Sequence, residues 1–125
     1  MSYDLIVFEP TAAPREPDAF LAWYRVQMTR CEPHRYGDPT LTSPRLAAWF
    51  EEMTRTYPPM NGPLASENLD DPKVTDYSVR TQVIYAAFRW SQARNAYDEV
   101  RRAAAVHRVG FFDVSGDAEI IFPKS

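Results

Sequence analysis

The sequence predicts an α/β domain of the α+β kind, a single layer of four strands forming a mixed sheet packed with three helices in the order β-α-α-β-α-β-β. Three observations in the 125 residues carry this. Two segments, Tyr3–Glu9 and the second half of Tyr77–Phe88, are apolar on both faces, as strands inside a covered sheet are. Three other stretches repeat apolar residues at helical spacing. And Tyr77 to Ser115 reads strand, helix, strand, which in this length implies a right-handed parallel crossover.

The elements follow in order. In Tyr3 to Glu9 (YDLIVFE), Leu5 and Val7 face one side, and Ile6 and Phe8 the other. Pro10 to Pro17 is a connector with three prolines, and Pro17 suits the first position of a helix, where its missing N–H costs nothing. That helix runs to about Arg30, with Phe20, Trp23, Tyr24 and Gln27 on one side. Cys31 to Thr42 is a loop punctuated by Pro33, Gly37 and Asp38-Pro39. Ser43-Pro44 then supplies a cap and an N1 proline for a second helix, in which Leu46, Trp49, Phe50, Met53 and Tyr57 recur on the inner face and Glu51, Glu52 and Arg55 point outward.

Pro58 to Asp76 is the longest irregular stretch, stiffened at its start by Pro58-Pro59 and Asn61-Gly62-Pro63. Tyr77 to Phe88 is the second strand. From Val79, the odd positions Val83, Tyr85 and Ala87 point one way, and Ile84, Ala86 and Phe88 the other. Ser91 is the expected N-cap of the third helix, Gln92 to about Arg108, whose alanine-rich stripe (Ala93, Ala96, Tyr97, Val100, Ala103, Ala104, His107) can lie close to a sheet. Gly110 is placed to close that helix in a left-handed cap. Val109–Val114 and Ala118–Phe122 form a hairpin around Ser115-Gly116-Asp117. If all helices covered one sheet face, the apolar residues of the other would be bare. Either the helices divide between the faces or the second face meets a partner, and a homodimer would serve.

Length and composition bound the function. One domain, residues 1–125, is expected, large enough for a sizeable core. No apolar run approaches the roughly 20 residues of a membrane span, and MSYDLIVFEP reads as a strand rather than a signal peptide. Cys31 stands alone, which excludes an internal disulfide and fits a reducing cytoplasm. The net charge is −3, and 12 of the 14 basic residues are arginine. Mild acidity argues against nucleic acid as the main partner. Charge is uneven: Glu67 to Asp76 holds four acids and one lysine, whereas Arg89 to Arg108 holds five arginines and two acids.

Catalytic constellations are not found. His34, Cys31 and Asp38 are too few for a metal site, which needs three or four ligands, so neither metal nor cofactor is expected. His107 falls on the apolar stripe of the third helix and reads as a core or helix-end histidine. Asp113, on the same side of its strand as Phe111, needs a partner, with Arg89 or Arg80 as candidates; structural pairing and site function both remain open for it. Asn61 and Gly62 shape a turn without the glycine spacing of a phosphate loop.

With YDLIVFE at the start, PPMNGP after the second helix, then TDYSV, FRWSQA and VGFFDVS, the chain resembles a group of small bacterial proteins, some of which look like immunity proteins encoded beside polymorphic or contact-dependent toxins. The resemblance covers most of the chain. It implies a cytoplasmic protein that neutralises a toxin, and it transfers no catalytic residue.

The expected function is therefore binding rather than catalysis: an immunity-type protein that occludes the active site of a cognate toxin with a basic cleft. Its acidic residues Glu67, Asp70, Asp71 and Asp76, with Glu51 and Glu52 behind them, would substitute for phosphate. The alternative is a small enzyme or ligand-binding domain with its site at the carboxyl ends of the parallel strands, near Asn61, Arg89, Trp90, His107 and Asp113.

Overall fold

Leu5, Ile6, Val7 and Phe8 are all buried, and a strand without a polar face must lie where both its sides are covered. The computed structural model describes residues 2–29, 42–60, 65–114 and 120–123. Among these the elements are β1 (Ser2–Phe8), α1 (Pro17–Thr29), α2 (Pro44–Thr56), β2 (Asp76–Val79), β3 (Val83–Arg89), a single 3-10 turn at Trp90–Gln92, α3 (Ala93–His107), β4 (Gly110–Asp113) and β5 (Ile120–Ile121).

The described strands form one five-stranded sheet in the order β2-β3-β1-β4-β5, antiparallel at every pairing. This overturns the expected four-stranded mixed sheet in two places. The first is the stretch Tyr77–Phe88, which is a hairpin. The Arg80 N–H donates to the Val83 carbonyl across Thr81-Gln82, and Val79 pairs with Ile84. A two-residue turn reverses the parity of the side chains. Val79 therefore shares a face with Ile84, Ala86 and Phe88, not with Val83 and Tyr85. Thr81-Gln82 lacks the Asn-Gly or Asp-Gly signature of tight hairpins, which is why the run reads as one strand.

The second is the crossover. β3 and β4 do run the same way, but β1 lies between them and pairs antiparallel with both. α3 therefore spans a gap of roughly 10 Å, two strand spacings. Strand, helix, two strands, helix, strand with this order is the split, ferredoxin-like connectivity. To it the chain adds β5 at one edge and α1 on the opposite face.

The helices divide between the faces. Leu5, Val7, Tyr77, Ile84, Ala86 and Phe111 pack with Trp49, Phe50 and Met53 of α2 and with Ala96, Val100 and Ala103 of α3. Ile6, Phe8, Val83 and Phe112 pack with Phe20 of α1, flanked by Trp23, Tyr24 and Met28. The second face is thus covered from within the chain.

Two local expectations also change. Ser43 caps α2 as its sequence signals, its hydroxyl accepting from the Leu46 N–H. Ser91, by contrast, lies inside the 3-10 turn, and Gln92 precedes α3 without a side-chain cap. At the far end, Arg108 rather than Gly110 takes the left-handed conformation, φ 57°. Gly110 instead opens β4 opposite Phe8. A Cβ built there would lie 2.2 Å from the Phe8 ring, so glycine is required for space.

Candidate functional site

The acidic segment is held in place by its own short-range bonds. Asn68 and Asp71 side chains accept from the Asp70 and Lys73 N–H groups at 3.2 and 2.9 Å, closing turns in which a carboxylate or amide stands in for a carbonyl. The Met60 and Thr75 N–H groups donate to the Thr75 and Pro58 carbonyls, which ties the segment alongside edge strand β2. From β3, Arg89 donates to the Leu69 carbonyl at 2.7 Å and to the Asp70 carbonyl at 3.4 Å. Because its guanidinium bonds carbonyls, the carboxylates keep their charge uncompensated by it. Glu67, Asp70 and Asp76 are exposed and Asp71 is half-buried. Among the described residues no cation forms an ion pair with any of the four.

Apolar side chains adjoin this charge. Leu69 is 51% exposed and Trp90 47%. Trp90 follows Arg89 directly, and its indole leans on Tyr3 with ring centroids 5.5 Å apart. Arg89 thus draws the acidic turns to the end of β3 that carries Trp90. An exposed tryptophan beside an arginine, with acids around them, has the composition of an interface centre and rim. Leu69 went unread in the sequence, where a single leucine between charged residues carries no periodicity; its exposure is visible only once the turns are folded.

Glu51 and Glu52 separate. Glu51 is exposed. Glu52 is not available to a partner: it accepts from His107 Nε2 at 2.8 Å and from Arg102, which also bonds Glu99. The pairing bridges α2 and α3, and it places His107 against a carboxylate at the end of its helix. The Arg102 hydrogen bond first, and then that from His107, holds the Glu52 carboxyl below its ordinary value. A depressed carboxyl stabilises the fold above its unfolded value and loses that contribution as pH falls through the folded one. Glu52→Gln is therefore expected to lower the melting temperature at pH 7 by about 3 °C, with the difference from the parent protein narrowing as pH falls below the ordinary carboxylate range. Thermal melts at pH 7 and 3 check this; an equal difference at both would remove the carboxylate from the account.

Of the alternative-pocket residues, Trp90 and Asp113 meet through Tyr3, which touches both, whereas Arg89 and His107 point elsewhere. His107 faces Glu52 between two helices, and Arg89 faces the acidic turns. Asp113 accepts from the Tyr3 hydroxyl at 3.4 Å. Burial, followed by the charge and hydrogen bond of Asp113, pushes the Tyr3 phenol up to about 12. Asn61, with Gly62 and Ser115, and the group Cys31, His34 and Asp38 lie outside the described residues. No two neighbouring strands of the described sheet are parallel, so the ligand position expected at parallel carboxyl ends has no counterpart. Among the described residues no group of three histidine, cysteine or acidic side chains could hold a metal ion. Nor is any described helix long and apolar enough to cross a membrane.

No family model, curated protein or solved structure matches this chain.

Proposed function

We propose that this protein is an immunity-type binding protein whose acidic turns and Trp90 dock onto a basic cleft of a cognate toxin in the cytoplasm. One observation carries the reading: exposed carboxylates that are unpaired among the described residues stand beside exposed Leu69 and Trp90 on backbone already held by hydrogen bonds. Pre-formed turns lose little entropy on docking. Unpaired carboxylates speed encounter with a basic surface and are favoured where a nucleic-acid backbone would otherwise bind. Trp90, with Tyr3 behind it, is the side chain that would fill a pocket and contribute most of the affinity.

The test is a titration against the protein encoded by the adjacent gene. The parent chain is expected to bind in the nanomolar range. Reversing Glu67, Asp70, Asp71 and Asp76 to lysine should lower affinity by about 100-fold or more, mostly through the association rate and less at high salt. Trp90→Ala should cost about 2 kcal/mol, mostly in dissociation. Affinity unchanged in both variants would discard this surface, and absence of binding by the parent chain would discard the toxin.

A further inference from the structure

On the far side of the molecule from Trp90, where α3 ends and β4 begins, the surface opens into two cavities that share Arg108 and Pro123. The first, about 380 Å³, has Val109, Phe111 and Ile121 in its wall and Arg101 and Arg108 at its margin. The second, about 570 Å³, is lined by Arg15, Arg45 and Arg108 beside Pro10, Thr11 and Ala13. Among the described residues no acidic side chain lines either one. Among the described residues none of these four arginines forms an ion pair with a carboxylate. In a chain of net charge −3, four guanidiniums that form no ion pair among the described residues, gathered around one groove, are a local concentration of positive charge.

The arginines are positioned, not merely near. Arg45 Nη1 donates to the Arg108 carbonyl at 3.4 Å, joining the start of α2 to the end of α3. The Arg15 guanidinium lies over the Phe122 ring, 4.5 Å from its centroid. Arg101 donates to the Tyr97 hydroxyl at 3.3 Å. Arg108 sits at the left-handed closing position of α3, where glycine would cost less backbone strain.

We propose that this groove binds a compact organic phosphate monoester, its phosphate held by Arg108, Arg45 and Arg15 and its apolar body laid against Ile121 and Pro123. A guanidinium fork matches phosphate oxygens in pairs. Three of them exceed what a single carboxylate neutralises and suit a group of charge near −2. The apolar wall excludes inorganic phosphate as the whole ligand, since it would leave that wall unused. The cavities are of the size that small organic ligands occupy. The site is independent of the acidic face, so either proposal can fail alone.

Calorimetric titration of the full chain tests it, with phenyl phosphate, inorganic phosphate and benzyl alcohol as probes. Phenyl phosphate is expected to bind saturably and about tenfold or more tightly than inorganic phosphate, with benzyl alcohol undetected. Arg108→Gly should abolish at least nine-tenths of that affinity without lowering the melting temperature, because glycine suits the backbone there. Arg94→Gln, an exposed arginine outside the groove, should bind as the parent does. The proposal is overturned if phenyl phosphate does not saturate, if it binds no better than inorganic phosphate, or if Arg108→Gly binds like the parent chain. Binding of a short single-stranded oligonucleotide in the absence of phenyl phosphate binding would overturn it in favour of a nucleic-acid surface.

Discussion

Tyr77→Ala is expected to destabilise the protein by about 4–6 kcal/mol, a large part of the roughly 5–15 kcal/mol that holds a domain folded. Tyr77 is 1% exposed and stands where α2 meets the sheet. Its ring meets those of Phe50, Trp49 and Phe88 edge-on, at centroid distances of 5.0, 6.3 and 6.4 Å. Its hydroxyl donates to the Tyr57 carbonyl at 2.8 Å, at the residue that ends α2. Burial pushes this phenol far above its ordinary value, so it remains a donor across the physiological range. Alanine would leave a cavity among three aromatic rings and an orphaned helix-end carbonyl. Tyr77→Phe separates the two losses, removing only the hydrogen bond for about 1–2 kcal/mol. Urea unfolding of both variants measures the pair. A loss below about 2 kcal/mol for the alanine variant would mean that the ring cluster closes over the gap.

Gly110→Ala is expected to cost about 2–3 kcal/mol, an unusual penalty for adding one methyl group to a strand, where alanine is ordinarily the better residue. The added Cβ would lie 2.2–2.6 Å from three atoms of the Phe8 ring. That ring has nowhere to go: Phe20, Phe122 and Trp23 surround it at 4.8, 5.2 and 6.1 Å, and Phe8 itself is fully buried. The cause is steric and nonlocal, so the cost should couple to Phe8. In the Phe8→Leu background the same Gly110→Ala change should cost at least about 1 kcal/mol less. Additive costs in that double-mutant cycle would reject the clash.

The two residues illustrate what was legible. Tyr77 could be read as a strand residue from its β-branched and aromatic company. That it caps the end of α2 through its hydroxyl depends on a pairing between residues 20 apart. Gly110 was legible as special, but for the wrong reason, since a glycine after a helix usually closes it. The candidate site divides likewise. The acidic residues stood out as a run of charge, whereas the engagement of Glu52 by Arg102 and His107 required the packing of α2 on α3. The basic groove was half legible: Arg101 and Arg108 lie in the arginine-rich run Arg89–Arg108, whereas Arg15 and Arg45 join them from separate parts of the chain.

What the sequence by itself determined is which residues share a side within one unbroken element. The opposite facing of Leu5 and Val7 against Ile6 and Phe8, the stripe of α3 and the Ser43-Pro44 start of α2 all hold in the fold, because alternation, helical spacing and capping act within a few residues. Only the tertiary structure decided that the Tyr77–Phe88 run folds back on itself, that β1 enters between β3 and β4, and that α1 covers the opposite face. Strand neighbours are chosen by burial of the most apolar strand at the centre of the sheet. That choice is made between segments far apart in the chain, where no local pattern records it.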